Sequence, residues 1–105
     1  MAKHITEDAF EAEVVKSDQL VMIDFYAEWC GPCKMLAPVI DSLTSEFDGK
    51  AKIFKCDVDK EPVLAGQFGV QSIPTIVFMK NGEVVDKAVG FQSKEALAEK
   101  LNTLA

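Results

Sequence analysis

Residues 21–34 read Val-Met-Ile-Asp-Phe-Tyr-Ala-Glu-Trp-Cys-Gly-Pro-Cys-Lys, an apolar run carrying one acid and then a Cys-x-x-C pair that opens a helical pattern. From Leu20 to Tyr26 the chain is apolar on both faces except at Asp24, which suits a central strand covered on both sides. Such a strand delivers Cys30 to the loop at its C-terminal end, where the next helix begins with free backbone N–H groups. An anion is favoured there, and a thiolate is an anion. Gly31 lets backbone approach closely, and Pro32 suits the first helical turn, where its missing N–H removes no hydrogen bond.

Two cysteines at this spacing can close a small disulfide ring with little rearrangement, so the pair can pass between dithiol and disulfide while the fold stays put. That is the chemistry of electron-pair exchange. An ordinary thiol, with a pKa near 8.5, is only about 3% ionised at neutral pH, and a helix N-terminus raises that share. Cys30, expected to be the outer and more exposed of the two, is the expected nucleophile. Asp24 sits among Val21, Met22, Ile23, Phe25 and Tyr26, where burial of a carboxylate is costly; desolvation is expected to raise its pKa toward neutrality.

Outward from this centre, a short strand over Lys3–Ile5 precedes a helix capped by Thr6, with Glu7 and Asp8 in its first turn and Phe10, Val14 and Val15 facing inward. After Pro32 the apolar positions Met35, Leu36, Val39, Ile40, Leu43 and Phe47 follow a helical period, with Pro38 expected to kink the helix and Gly49 to end it. A strand over Ala51–Val58 places Phe54, Cys56 and Val58 on one face and Ile53, Lys55 and Asp57 on the other. Pro62–Phe68 reads as a short helix, and Thr75–Lys80 as a strand joined through Asn81-Gly82, a strong hairpin signal, to Glu83–Val89. Ser93 caps a last helix that buries Leu97, Leu101 and Leu104. Strands alternating with helices imply parallel pairing, and the terminal hairpin adds an antiparallel edge, so the class is α/β with a mixed sheet between helices.

The 105 residues, 49% of them apolar, provide for one domain spanning residues 1–105. Seventeen acids against eleven bases give a net charge of −6 with no basic cluster, which argues against a nucleic-acid partner. The amino terminus carries acids where a secretory leader has its apolar segment, and no run approaches a membrane span. Three cysteines, an odd number, suit a reducing compartment, and a cytoplasmic monomer is expected.

The segment Trp29-Cys30-Gly31-Pro32-Cys33-Lys34, preceded by Asp24-Phe25-Tyr26-Ala27-Glu28, resembles the active site of the thioredoxin family, and the element order resembles its fold across essentially the whole chain. The resemblance implies the thioredoxin fold: a central mixed five-stranded sheet in the order 1-3-2-4-5, flanked by four helices in a three-layer α/β/α arrangement. It implies a protein disulfide reductase in which Cys30 attacks, Cys33 resolves, Asp24 accepts a proton from Cys33, and Lys55 lies close to the acid. It further implies a cis Ile73-Pro74 bond facing the cysteines, and a substrate surface of Trp29, Ile73, Pro74, Val89, Gly90 and Phe91. The implied partners are disulfide-containing proteins and a thioredoxin reductase, commonly an NADPH-dependent flavoprotein, with no metal or bound cofactor. Two positions depart from the best-known bacterial pattern: Tyr26 stands where a second tryptophan is frequent, and Phe91 where a smaller residue is common.

Plainer readings stand beside these. The Cys pair could be half a zinc site completed by Cys56 and His4, or a permanent structural disulfide. Lys55 could snorkel to water, Cys56 is expected to be a small core residue, and Trp29 could be core packing. Within the same fold, the pair could serve an oxidant or isomerase; from another class, the chain could be a binding module without redox turnover.

Overall fold

The computed structural model describes residues 1–105. Its elements are β1 (Lys3–His4), α1 (Glu7–Phe10), a π-helical turn that continues α1 (Glu11–Val15), β2 (Leu20–Tyr26), α2 (Gly31–Glu46), β3 (Ala51–Asp57), α3 (Pro62–Gln67), β4 (Thr75–Lys80), β5 (Glu83–Val89) and α4 (Lys94–Leu104). One five-stranded sheet runs in the order β1-β3-β2-β4-β5, with β1, β3 and β2 parallel and β4 and β5 antiparallel additions. This is the order and the mixed sense implied by the family resemblance. No helix is long and apolar enough to cross a membrane.

The strand β2 has all seven residues buried because helices cover both of its faces. On one face, Leu36, Ile40 and Leu43 of α2 and Leu97 and Leu101 of α4 pack onto Met22, Ile53, Ile76 and Phe78. On the other, Val14, Leu64 and Ala65 pack onto Val21, Ile23, Phe25, Phe54, Cys56 and Val77. The alternation read in β3 is therefore the one observed. Thr6 Oγ1 accepts from Ala9 N–H and Ser93 Oγ from Ala96 N–H, so both expected caps are in place.

At the hairpin, Asn81 and Gly82 take φ of 53° and 80°, the left-handed pair that a tight turn between twisted strands requires. A Cβ added at Gly82 would lie 3.2 Å from the Val15 carbonyl oxygen, so the turn is also pressed against the end of the π-helical segment.

Several boundaries and one face differ from the sequence reading. The ladder of β1 ends at His4, although Ile5 N–H still donates to the Lys55 carbonyl at 2.9 Å. The helix α3 ends at Gln67, with Phe68 as its cap. The buried line of α2 is Cys33, Leu36, Ile40 and Leu43, spaced by three and four residues. Met35 lies one residue, about 100°, off that line and is 66% exposed.

The stripe of α2 is what holds the site-bearing helix on the sheet. Ile40 is fully buried within it, and replacing it by alanine is expected to lower unfolding stability by about 2–5 kcal/mol, read as a reduced denaturant midpoint at unchanged slope.

Candidate active site

Two consecutive features of the chain deliver the cysteine pair: β2 ends at Tyr26, and α2 starts at Gly31. Cys30 is the N-cap of α2, with φ −85° and ψ 116°, and its Sγ accepts the Cys33 N–H at 3.2 Å. A sulfur therefore occupies the place where a helix N-terminus receives an electron-rich atom. Cys30 and Cys33 are disulfide-bonded, with Cα atoms 5.2 Å apart. Cys30 is the more exposed of the two only narrowly, 5% against 3% for Cys33, and in this disulfide state both sulfur-bearing residues are buried. In the disulfide state the pair lies flush with the surface, packed with Tyr26, Ala27 and Ile73.

The Ile73-Pro74 bond is cis. The Ile73 carbonyl oxygen lies 3.8 Å from Cys30 Sγ, and the Pro74 carbonyl accepts Gly90 N–H at 2.8 Å, which brings the loop after β5 beside the disulfide. Trp29 is 70% exposed and so is not core packing. Its indole N–H donates to Asp59 at 2.8 Å. With exposed Gly31, Pro32, Val89 and Phe91 and half-buried Ile73 and Gly90, Trp29 belongs to a largely apolar collar around the sulfurs; Lys34 and Met35 are exposed on α2 next to it.

Beneath the disulfide lies a cleft of about 80 Å³ lined by Asp24, Tyr26, Ala27, Glu28, Cys33, Lys34, Ala37 and Lys55. Asp24 is 1% exposed, and its Oδ1 is the one buried side-chain polar atom without a hydrogen-bond partner. Burial pushes the Asp24 pKa up to about 7, partly opposed by the positive charge of Lys55. Lys55 is half-buried and opposite Asp24 in the β2–β3 register, yet it makes no ion pair; its Nζ sits 4.6 Å from the centre of the Tyr26 ring.

Cys56 lies in the core cluster beneath α1 and α3, fully buried, with its pKa pushed up to about 12 chiefly by burial. It is a core residue. His4 stands at the sheet edge near Tyr26, and no group of three or more His, Cys, Asp or Glu is arranged to hold a metal.

The Thioredoxin family model matches residues 1–103. The chain belongs to the thioredoxin family. It is similar to the thioredoxin of Rickettsia felis, 46% identical over 102 residues that cover 97% of each chain. It is also similar to thioredoxin 2 of Chlorobaculum tepidum, 48% identical over 97 residues covering 92% of this chain and 89% of the relative. A third relative, the thioredoxin of Rickettsia bellii, is 43% identical over 102 residues. As in thioredoxins, a redox-active Cys-x-x-C pair at disulfide distance makes the chain a thiol–disulfide oxidoreductase, working by dithiol–disulfide exchange.

Three features of this thioredoxin site escaped the sequence reading: the Asp59 partner of Trp29, the cleft wall formed by Glu28 and Ala37, and the seat of Lys55 on Tyr26. The first had a signal. Because β3 runs parallel beside β2, with Tyr26 opposite Asp57, the loops after the two strands must be neighbours, and these carry Trp29 and Asp59.

Proposed function

We propose that the protein reduces disulfides of other proteins, with Cys30 as the attacking thiolate and Cys33 as the resolving thiol. The observation that supports this most is the position of Cys30 Sγ at the α2 N-terminus, accepting the Cys33 N–H, above a cleft lined by both Cys33 and the buried Asp24. In the dithiol state the Cys30 thiolate attacks one sulfur of a target disulfide, forming a mixed disulfide and releasing the other target sulfur as a thiolate that takes a proton. Cys33 then loses its proton to Asp24, attacks Cys30 Sγ, and expels the second target sulfur. The target gains two electrons and two protons, and the Cys30–Cys33 disulfide forms.

Asp24 suits the proton transfer because an acid with a pKa of about 7 is close to half ionised at neutral pH. Lys55 supplies positive charge that favours its carboxylate form. The collar of Trp29, Ile73, Val89, Gly90 and Phe91 receives the target, whose extended backbone pairs with Ile73 beside its disulfide, while Pro74, expected to belong to this surface, is buried beneath it and shapes the turn. The active-site loop Trp29, Gly31, Pro32 and Lys34 presents the sulfurs. Regeneration of the dithiol falls to a thioredoxin reductase, an NADPH-dependent flavoprotein. The whole chain acts as one domain and a monomer in the cytoplasm, where such a reductant is maintained.

The order of the two sulfurs is tested by trapping. A Cys33→Ser variant is expected to accumulate a mixed disulfide with a disulfide-containing target, visible as a dithiothreitol-sensitive adduct on non-reducing gels, whereas Cys30→Ser gives none. Adducts through Cys33 in the Cys30→Ser protein would reverse the assignment.

A further inference from the structure

In-register pairing sets His4, Lys55 and Asp24 abreast across β1, β3 and β2. Tyr26 lies two residues beyond Asp24 on the same strand, so its ring projects to the same face of the sheet. Lys55 therefore has two electron-rich neighbours, a ring face and a carboxylate. Its Nζ is 4.6 Å from the ring centre, inside the range of about 6 Å for a cation–π contact. Asp24, by contrast, has Oδ1 without a hydrogen-bond partner and no ion pair. The outer end of the ring is tied to the sheet edge, with the Tyr26 hydroxyl 3.4 Å from His4 Nδ1.

We propose that Tyr26 is a positioning residue that holds the Lys55 ammonium on its ring face and so keeps it from closing an ion pair with Asp24. This rests on the reading of Asp24 as the proton acceptor for Cys33. A closed ion pair would fix Asp24 as a carboxylate of low basicity, unable to hold a proton near neutral pH. Held on the ring, Lys55 acts on the acid only through space, against the burial that raises its pKa. The other chargeable groups lining the cleft are Glu28 from the loop and Lys34 and Cys33 from α2; on β4 the residue opposite Asp24 is apolar Ile76.

The test is an NMR titration of the Asp24 carboxyl in the oxidised protein, which needs no turnover. Tyr26→Leu frees Lys55 to approach the acid and is expected to weaken proton binding about tenfold, moving the titration down by about one pH unit. Tyr26→Phe keeps the ring, loses the contact with His4, and is expected to titrate with the parent. In a Lys55→Gln background Tyr26→Leu is expected to have no effect, since Tyr26 acts through Lys55. An equal downward shift with and without Lys55 would mean that the ring only excludes water, and would overturn the proposal. So would an unchanged or upward titration in Tyr26→Leu. Should that variant not fold, Tyr26→Met serves in the same cycle. An Asp24→Asn protein with parental turnover at every pH would remove the proton-acceptor reading while leaving the titration result intact.

Discussion

Replacing Cys30 by serine is expected to lower the rate of insulin-disulfide reduction, measured above the dithiothreitol background, on the order of a thousandfold or more. A hydroxyl stays protonated at neutral pH, and its oxygen has little tendency to attack sulfur, so the first bond of the exchange is not made. Unfolding is not the cause, because serine is itself a favoured N-cap and its Oγ can accept the Cys33 N–H that Cys30 Sγ accepts now. Far-UV circular dichroism of the variant should match the parent. Nor is Cys33 expected to take over: it lies inside the first turn of α2 and lacks the cap position that gives Cys30 its hydrogen bond. Parental turnover in Cys30→Ser would remove the assigned nucleophile and leave the collar without a sulfur to serve.

Where local chemistry alone fixes geometry, the sequence was a sufficient guide. The Asn81-Gly82 turn could be placed to the residue because few other residues adopt two successive left-handed conformations. The strand β2 was legible from its two apolar faces, and Cys30 and Pro32 from the chemistry of a helix start. What the sequence concealed depends on contacts between distant segments. The five residues Glu11–Val15 adopt i→i+5 bonding, with Lys16 N–H donating to the Glu11 carbonyl, while Gly82 of the hairpin presses against Val15. Nothing in the local pattern foretells that. Met35 fitted a loose helical period but lies off the line that meets the sheet, because periodicity marks a face without fixing its width. The protonation of Asp24 is intermediate: burial was readable from its neighbours, whereas the seat of Lys55 on the Tyr26 ring, without an ion pair to Asp24, was not.

Asp24→Asn is expected to make the oxidised protein more stable than the parent above neutral pH, by up to roughly 4 kcal/mol, with the gain vanishing in acid. Below about pH 3 the carboxyl carries its proton in both folded and unfolded chains, so ionisation contributes no difference. As the pH rises, the unfolded carboxyl ionises near 3.8 while the folded one keeps its proton until about 7. Between those values the unfolded chain binds fewer protons, and the parent loses about 1.4 kcal/mol per pH unit, levelling off above the folded value. Asparagine does not titrate, so its curve lacks this decline. What the amide adds is a pair of N–H donors to be satisfied, a term that does not vary with pH and so leaves the pH-dependent part untouched. Urea unfolding of both proteins at pH 4, 6, 8 and 9 therefore isolates the carboxyl. A stability difference constant across that range would mean that Asp24 ionises as an ordinary surface acid, and the account of its role would fall with the account of its burial. The expected result makes the substitution stabilising and, at the same time, removes the proton acceptor proposed for Cys33. A more stable variant that resolves its mixed disulfides more slowly at neutral pH is the outcome that ties the buried charge to the reaction.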